Sequence, residues 1–341
     1  MRPLAKSGLT WLAVIVALCV FFAGRYVWVQ GLLNNPAPVA SGICRDVAVG
    51  LKDPADIAVD AGHDALFIAA LNRQATPEFS DKGDGIYLLK LSDPSQAPVR
   101  LAGVPPDFHP SAITLFLAED GAETLIVADR RTTGRNLIES YDLTFDGNTP
   151  KLAPHSAIQG GLLVSPNGLA AAAADHFYVS NDHTTRNPWG RFAEQYLLWP
   201  HADVMAYNGT GFRIAAQRLT APAGLLIRND ILYAATANSV QAFSQDFLGF
   251  LTPLGQLGLP ARPNRISQDG HGNLIVTGQA KPGSSQVYRV VLDAQGVPQS
   301  YQTIFSDDGR ILKGASAALF AGNQLFIAAS GDSKMLVCST K

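Results

Sequence analysis

From Asp56 onward the chain repeats one pattern: a short apolar stretch, a turn rich in Gly, Asp, Asn or His, then a second apolar stretch of the LFIA or LIV type. DIAVDAGHDALFIAA begins at Asp56, AITLFLAEDGAETLIVAD at Ala112, GLAAAAADHFYVSND at Gly168 and GLLIRNDILYAATA at Gly224, successive starts lying 56 residues apart. RISQDGHGNLIVTGQ follows from Arg265 and ASAALFAGNQLFIAAS from Ala315. Two short apolar runs around such a turn predict a β-hairpin. A third run follows each hairpin (GIYLLKL, LIESYDL, DVMAYNG, SVQAFSQ, QVYRVVL, KMLVCST), and a fourth follows in five of the six copies. The sixth copy reaches Lys341 without one, and ICRDVAVG, residues 43–50, can supply it. The pattern predicts an all-β fold, a six-bladed β-propeller of four-stranded blades over residues 43–341, its last blade closed by the N-terminal strand.

The N-terminal segment breaks this pattern. Arg2 and Lys6 precede an uncharged apolar run from Leu9 to Gly24, which continues past Arg25 as YVWVQGLL. This predicts a cytoplasmic tip and transmembrane signal-anchor helix over residues 1–33, with Arg25 snorkelling to the interface. NNPAPVASG, residues 34–42, reads as a linker. Basic residues ahead of the run place the propeller outside the cytoplasm, periplasmic or extracellular/lumenal. A cleaved signal peptide and a secreted protein form the competing reading. Beyond this segment the remaining cysteines, Cys44 and Cys338, stand at opposite ends of the repeat region, and in an oxidising compartment they are expected to form a disulfide bond across the closing blade. The net charge of −2 and the lack of any Lys/Arg cluster with interleaved aromatics exclude a nucleic-acid surface.

In a propeller the first strand of each blade lines a central channel, so residues just ahead of those strands converge on one axis. Aligning the copies places Ala55, Ser111, Asn167, Ala223, Asn264 and Gly314 in a ring. A second tier comes from the ends of the second strands: Asn72, Asp129 with Arg130, Asn181-Asp182-His183, Asn238, Gln279 and Asp332.

SPNGLAAAAADHFYVSNDH (165–183), HPSAITLF and the terminal Cys44/Cys338 pair resemble the paraoxonase/arylesterase family, within the wider group of gluconolactonase and strictosidine-synthase-like propellers. The similarity runs from about residue 42 to the C-terminus and includes the hydrophobic N-terminus. It implies hydrolysis of lactones and aryl esters at a central catalytic calcium, with a second, structural calcium below. On that resemblance Asn167 and Asn264 are metal ligands, and Asp56 is a ligand retained from the structural site. The family's glutamate falls at Ala55, a third asparagine at Ala223, an aspartate at Pro263, and the partner carboxylate of Asp56 at Gly168. Two histidines of the family's general-base dyad fall at Ser111 and Arg130. Calcium takes 6–8 oxygen ligands, usually with carboxylates among them, so this ligand set is incomplete.

Other residues bear on chemistry. Asp182-His183 reads either as an orienting carboxylate with a general base or as a hydrogen-bonded pair at a strand end. His109, just before Pro110, is a candidate ligand contact, and Ser111 is a ring residue without the GxSxG surroundings of a nucleophile. His63, His176 and His271 sit in hairpin turns and read as structural. TTRNPWGRFAEQYLLWPHA, residues 184–202, interrupts the third blade with a helix starting near Asn187-Pro188. It reads as a lid or membrane-touching helix, or as a helix packed on the propeller top. Two functions follow: an anchored arylesterase- or lactonase-type hydrolase of small esters or lactones, or an eroded propeller that binds a small molecule or a protein through the same face.

Overall fold

The computed structural model describes residues 4–40, 42–72, 83–131, 134–147 and 149–340. Arg2 of the basic tip lies outside the described residues. Five blades run outward in chain order from their first strands, which are Pro54–Asp60, Pro110–Leu117, Pro166–Ala173, Leu225–Arg228 and Arg262–Gln268. The sixth begins at Ala315–Ala321 and ends with Met335–Thr340, against which Gly42–Val47 pairs antiparallel as the outermost strand. Each first strand lies against the first strands of both neighbouring blades, which closes the ring. The fold is the six-bladed propeller that the repeats predict.

The repeats read as unbroken apolar runs because each sheet is covered on both faces. All six residues of Ala65–Ala70 are buried. Phe67, Leu125, Val127 and Tyr141 pack between the first and second blades, and Leu66, Ile68, Phe326 and Val337 between the first and sixth. Inner strands crowd toward the axis, and the third blade meets this with the alanines of Pro166–Ala173. One polar latch also joins the blades at every junction near that axis. Ser111 Oγ donates to Pro166 O, Ser180 Oγ to Ala223 O, Thr277 Oγ1 to Ser316 O, and Ser316 Oγ to Pro54 O. The first blade accepts from Ile113 N through Asp56 Oδ2, and Gly224 N donates to Asn264 O at the remaining junction.

Cys44 and Cys338 sit opposite each other in the closing pair and are bonded to one another. The bond ties strands separated by 294 residues. Reducing it is expected to cost about 2–5 kcal/mol of stability, seen as a lower midpoint in denaturant melts run with and without reductant.

Helix α1 spans Leu4–Val29, and its Thr10–Val29 portion, with a mean hydropathy of 2.2, is long and apolar enough to cross a bilayer. Its C-terminal end rests on the channel mouth: Arg25 Nη2 donates to Leu197 O (2.8 Å) and the Tyr26 ring meets that of Tyr196. Residues 39–40, read from composition as linker, instead add a two-residue strand to the outer edge of the fifth blade, opposite Ser306 and Phe305. Helix α2, Pro188–Tyr196, fills the insertion of the third blade, with Asn187 Oδ1 capping Gly190 N and Pro188 in the first turn.

Candidate functional site

A β-bulge places the ring residues. Pairing between first and second strands slips between Pro54 and Asp56, Pro110 and Ala112, Pro166 and Gly168, and Pro263 and Ile266. The residue after each proline is thereby released from the ladder toward the channel. In the sixth blade the slip falls between Ala315 and Ala317, so Ser316 is the ring member. The sequence alignment placed Gly314 there and was two residues out, because Ala315 stands where the other five copies carry proline. The ring is Ala55, Ser111, Asn167, Ala223, Asn264 and Ser316.

The residues one step further along are Asp56, Ala112, Gly168, Gly224, Arg265 and Ala317. Four are small and two are opposite charges, and those two meet in the channel. Arg265 Nε lies 3.0 Å from Asp56 Oδ2, an ion pair whose N–H is not aimed at that oxygen. Arg265 Nη2 donates to Ser111 O (2.8 Å) and Asn167 Oδ1 (3.3 Å). Nη1 donates to Asn167 Oδ1 (3.3 Å) and Asn264 Oδ1 (3.2 Å). The glycines make room: a Cβ on Gly224 would lie 2.6 Å from Arg265 Cα, and one on Gly168 would lie 1.9 Å from Ala223 O. Asp56 also accepts from Ile57 N (3.0 Å) and Ile113 N (3.1 Å). Burial still pushes its carboxyl above the usual range, against the pull of Arg265 and those two amides.

These contacts bear on the calcium that the resemblance implies. The structure does bring Asn167, Asn264 and Asp56 together, but around a guanidinium. Both amide oxygens accept from Arg265, the one carboxylate is paired with it, and Ala55, Ala223 and Pro263 offer no side-chain oxygen. A divalent ion here would have to displace a fixed positive charge and gather most of its shell from water. The residues present do not fit a calcium.

Above the ring opens a cavity of about 370 Å³. Asn167, Asn264 and Ala223 form part of its floor, Asp182 and Arg262 its sides, and Tyr196 of α2 and Gln30 beside α1 its rim. Asp182 is the most engaged carboxylate of the group. Its Oδ1 accepts from Ser165 Oγ (2.5 Å) and lies 2.5 Å from His183 Nδ1, and its Oδ2 accepts from Arg130 Nη2 (3.2 Å). Burial opposes its charge, but the Arg130 cation and the His183 and Ser165 hydrogen bonds win and hold its pKa below the usual carboxylate range. A depressed folded-state pKa adds stability above the unfolded value near pH 3.9 that is lost as pH falls. The thermal-midpoint deficit of Asp182→Asn relative to wild type is therefore expected to shrink between about pH 5 and pH 3, read by melts across that range.

Ser111, His109 and His183 do not border this cavity, and His183 is joined to it through Asp182. Ser111 is buried and spends its hydroxyl on Ala128 O and Pro166 O, and His109 is held by Asp84 at 2.5 Å. Of the second tier, Asp182 and Gln279 line the cavity, whereas Asn181 braces Val164 N, Ser165 N and Asp203. Sequence reasoning missed Arg265 and Arg262, whereas Tyr196 belongs to the insertion helix read as a lid. For Arg265 a signal existed, since it and Asp56 are the two charged residues at one position of the six copies.

At the opposite end of the hairpins lies another group. His63 Nδ1 is 2.7 Å from Asp60 Oδ2 and 3.3 Å from Glu123 Oε1, with the imidazole stacked on Phe145. Among the described residues these are the carboxylates and imidazole close enough together to hold a metal ion. The Asp60 hydrogen bond raises the His63 pKa, and burial followed by the Asp60 charge raises that of Glu123. A raised histidine pKa gives stability present below the unfolded value and lost as pH rises through the folded one. His63→Gln is therefore expected to lower the thermal midpoint more at about pH 6, below the unfolded value near 6.5, than at about pH 8.5, well above it, measured side by side with wild type.

Comparison with known proteins places these features in context. The sequence model of the family described as Arylesterase matches residues 65–339. Serum paraoxonase/arylesterase 2 of Canis lupus familiaris is 27% identical over 284 residues, covering 77% of this chain and 79% of its own. Serum paraoxonase/arylesterase 1 of Homo sapiens is 24% identical over 285 residues, with the same 77% and 79% coverage. Among solved structures, a carbohydrate-active enzyme of Trichoderma reesei superposes with a TM-score of 0.60 at 13% identity, over 90% of this chain and 100% of that one. Regucalcin from Agrobacterium tumefaciens, a calcium-binding protein, gives 0.54 at 13% identity, over 89% and 95%. These structural likenesses speak for the fold alone.

Proposed function

Because this chain belongs to the arylesterase family, we propose that it hydrolyses small carboxylic esters or lactones in the cavity above its channel, with His183 and Asp182 as the acid–base pair. One observation carries the reading: a carboxylate kept ionised by Arg130 and Ser165 borders the cavity and is bonded to a histidine. An ionised Asp182 accepts, so His183 Nδ1 carries the proton and Nε2 is left as the basic nitrogen. Water gives a proton to Nε2 as its oxygen bonds to the carbonyl carbon, and the carbonyl pair moves onto oxygen. As the tetrahedral species collapses, the C–O bond to the alcohol breaks and the imidazolium returns the proton to the leaving oxygen. In a lactone that oxygen stays attached and the product is a hydroxy acid. No step in this scheme passes through a metal.

The alternative, a propeller that only binds, rests on the missing oxygens at Ala55, Ala223 and Pro263. Family membership and the Asp182–His183 pair favour the hydrolase. Helix α1 fits a signal anchor or a signal peptide, and we read it as an anchor holding the propeller outside the cytoplasm. Trp189 and Trp199 of the insertion are exposed beside it, at 84% and 61%, and would meet the same lipid surface. The test is turnover of phenyl acetate and γ-butyrolactone by the full chain in detergent micelles. Failure of both substrates, with the protein folded, would remove the hydrolase reading.

A further inference from the structure

The charge at the channel axis belongs to the chain itself, and this changes what the floor of the cavity offers a ligand. A guanidinium has five N–H donors and no acceptor. An asparagine beside it must therefore turn its oxygen toward it, and Asn167 and Asn264 both do so. The amide group is planar, so each Nδ2 is left on the branch away from Arg265. Neither Nδ2 donates to another described group, and both residues border the cavity, whereas Arg265 does not. A metal site would need these same amides the other way round, with oxygens facing the ion.

The wall has the same polarity. Arg262 lines the cavity, and among the described residues its guanidinium makes no hydrogen bond or ion pair. Burial pulls its pKa down, with Tyr196 and then Asp182 acting in the other direction. Lys281 also borders the space. Asp182 is the carboxylate that faces them, and its oxygens are already held by Arg130, Ser165 and His183.

We propose that Arg265 inverts the polarity of the channel mouth, so that Asn167 Nδ2, Asn264 Nδ2 and Arg262 together form a site for an anionic oxygen rather than for a divalent cation. The site takes a carboxylate. On the hydrolase reading above, the same donors face the oxyanion that forms when an ester or lactone carbonyl is attacked, the charge a metal would otherwise meet. Arg265 is then a positioning residue: it touches no ligand and sets the orientation of the two amides that do. Carboxylate binding does not depend on hydrolysis, so the two proposals can fail separately.

The experiment uses the full chain in detergent micelles, with benzoate and calcium as probes in calorimetric titrations and thermal melts. Benzoate is expected to bind at one site and raise the melting midpoint, while calcium and EGTA leave the midpoint unchanged. Arg262→Gln is expected to weaken benzoate about tenfold or more, the loss of one charge-assisted contact, without changing the melt of the free protein. Asn167→Asp replaces one donor with a carboxylate oxygen that still satisfies Arg265, and is expected to abolish benzoate binding in a folded protein. Failure of the wild type to bind benzoate would overturn the proposal. So would a calcium-dependent rise in the midpoint that persists when the distant Asp60–His63–Glu123 group is disabled by Glu123→Gln, or unchanged benzoate affinity in both variants. Benzoate binding without any esterase turnover would leave this site standing and remove the hydrolase reading instead.

Discussion

Replacing Arg265 with methionine is expected to destabilise the propeller by about 3–5 kcal/mol at neutral pH, because it strands the Asp56 carboxylate in a buried channel. Both side chains of the pair are only 9% exposed, so solvent screens little of the effect. The loss should also depend on pH in a defined direction. Without its partner Asp56 keeps only the Ile57 and Ile113 amides, and burial drives its folded-state pKa further up. A raised carboxyl pKa leaves stability intact below the unfolded value near pH 3.9 and removes it as pH rises through the folded value. The deficit of Arg265→Met relative to wild type is therefore expected to grow as pH rises above the unfolded value near 3.9, from about pH 4 to about pH 8. Removing both charges, as Asp56→Leu with Arg265→Met, should recover much of the loss, since apolar replacement of a buried ion pair is often close to neutral. Denaturant melts of the two variants at several pH values check this. A single variant as stable as wild type would mean that the pair does not form.

His183→Gln is expected to lower turnover of phenyl acetate by about 10²–10⁴-fold, the range supplied by a positioned acid–base group, with little change in KM. Glutamine keeps a hydrogen-bonding group beside Asp182 and cannot take up a proton. The Asp182 anchors, Ser165 and Arg130, are untouched by the change, so the cavity wall should hold its shape. A fall in kcat without a fall in thermal midpoint would identify His183 with the chemistry. Equal losses in both would assign it to structure. Removing Arg130 instead takes away the cation that holds Asp182 ionised and should affect turnover through the same pair.

Most of the architecture was legible in the sequence because the hairpins repeat with few insertions. The second strands, such as ALFIAA and QLFIAA, are buried on both faces, so they appear as unbroken apolar runs that stand out from the turns. The ring register was legible where proline marks the bulge, at Pro54, Pro110, Pro166 and Pro263. It slipped by two at Gly314 because Ala315 lacks that mark. The strand at residues 39–40 was not visible, since two exposed residues carry no periodicity. Helix α2 was visible through Asn187 and Pro188, whose cap and first-turn roles depend on local chemistry alone.

The site was legible in part. Asn167, Asn264 and Asp182 do border one cavity, Asp56 lies buried at the axis against Arg265, and His183 touches the group through Asp182. What holds three of them, Arg265, went unread because it was treated as the first residue of a strand, although the matching position of the first copy is an aspartate. Opposite charges at one repeat position, with Ala or Gly at the other four, mark a pair that closes across the channel. Arg262 had no such mark: it opens the first strand of the fifth blade, and no local pattern encodes that this strand end borders the cavity.

Ester hydrolysis by the chain's own residues at the channel mouth is the proposal on which the assigned roles depend. The most direct measurement is turnover of phenyl acetate by the full-length protein with and without excess EGTA, beside His183→Gln. The expected result is turnover unchanged by chelation and lost in the variant. Absence of turnover, or turnover that EGTA abolishes and calcium restores, would contradict it.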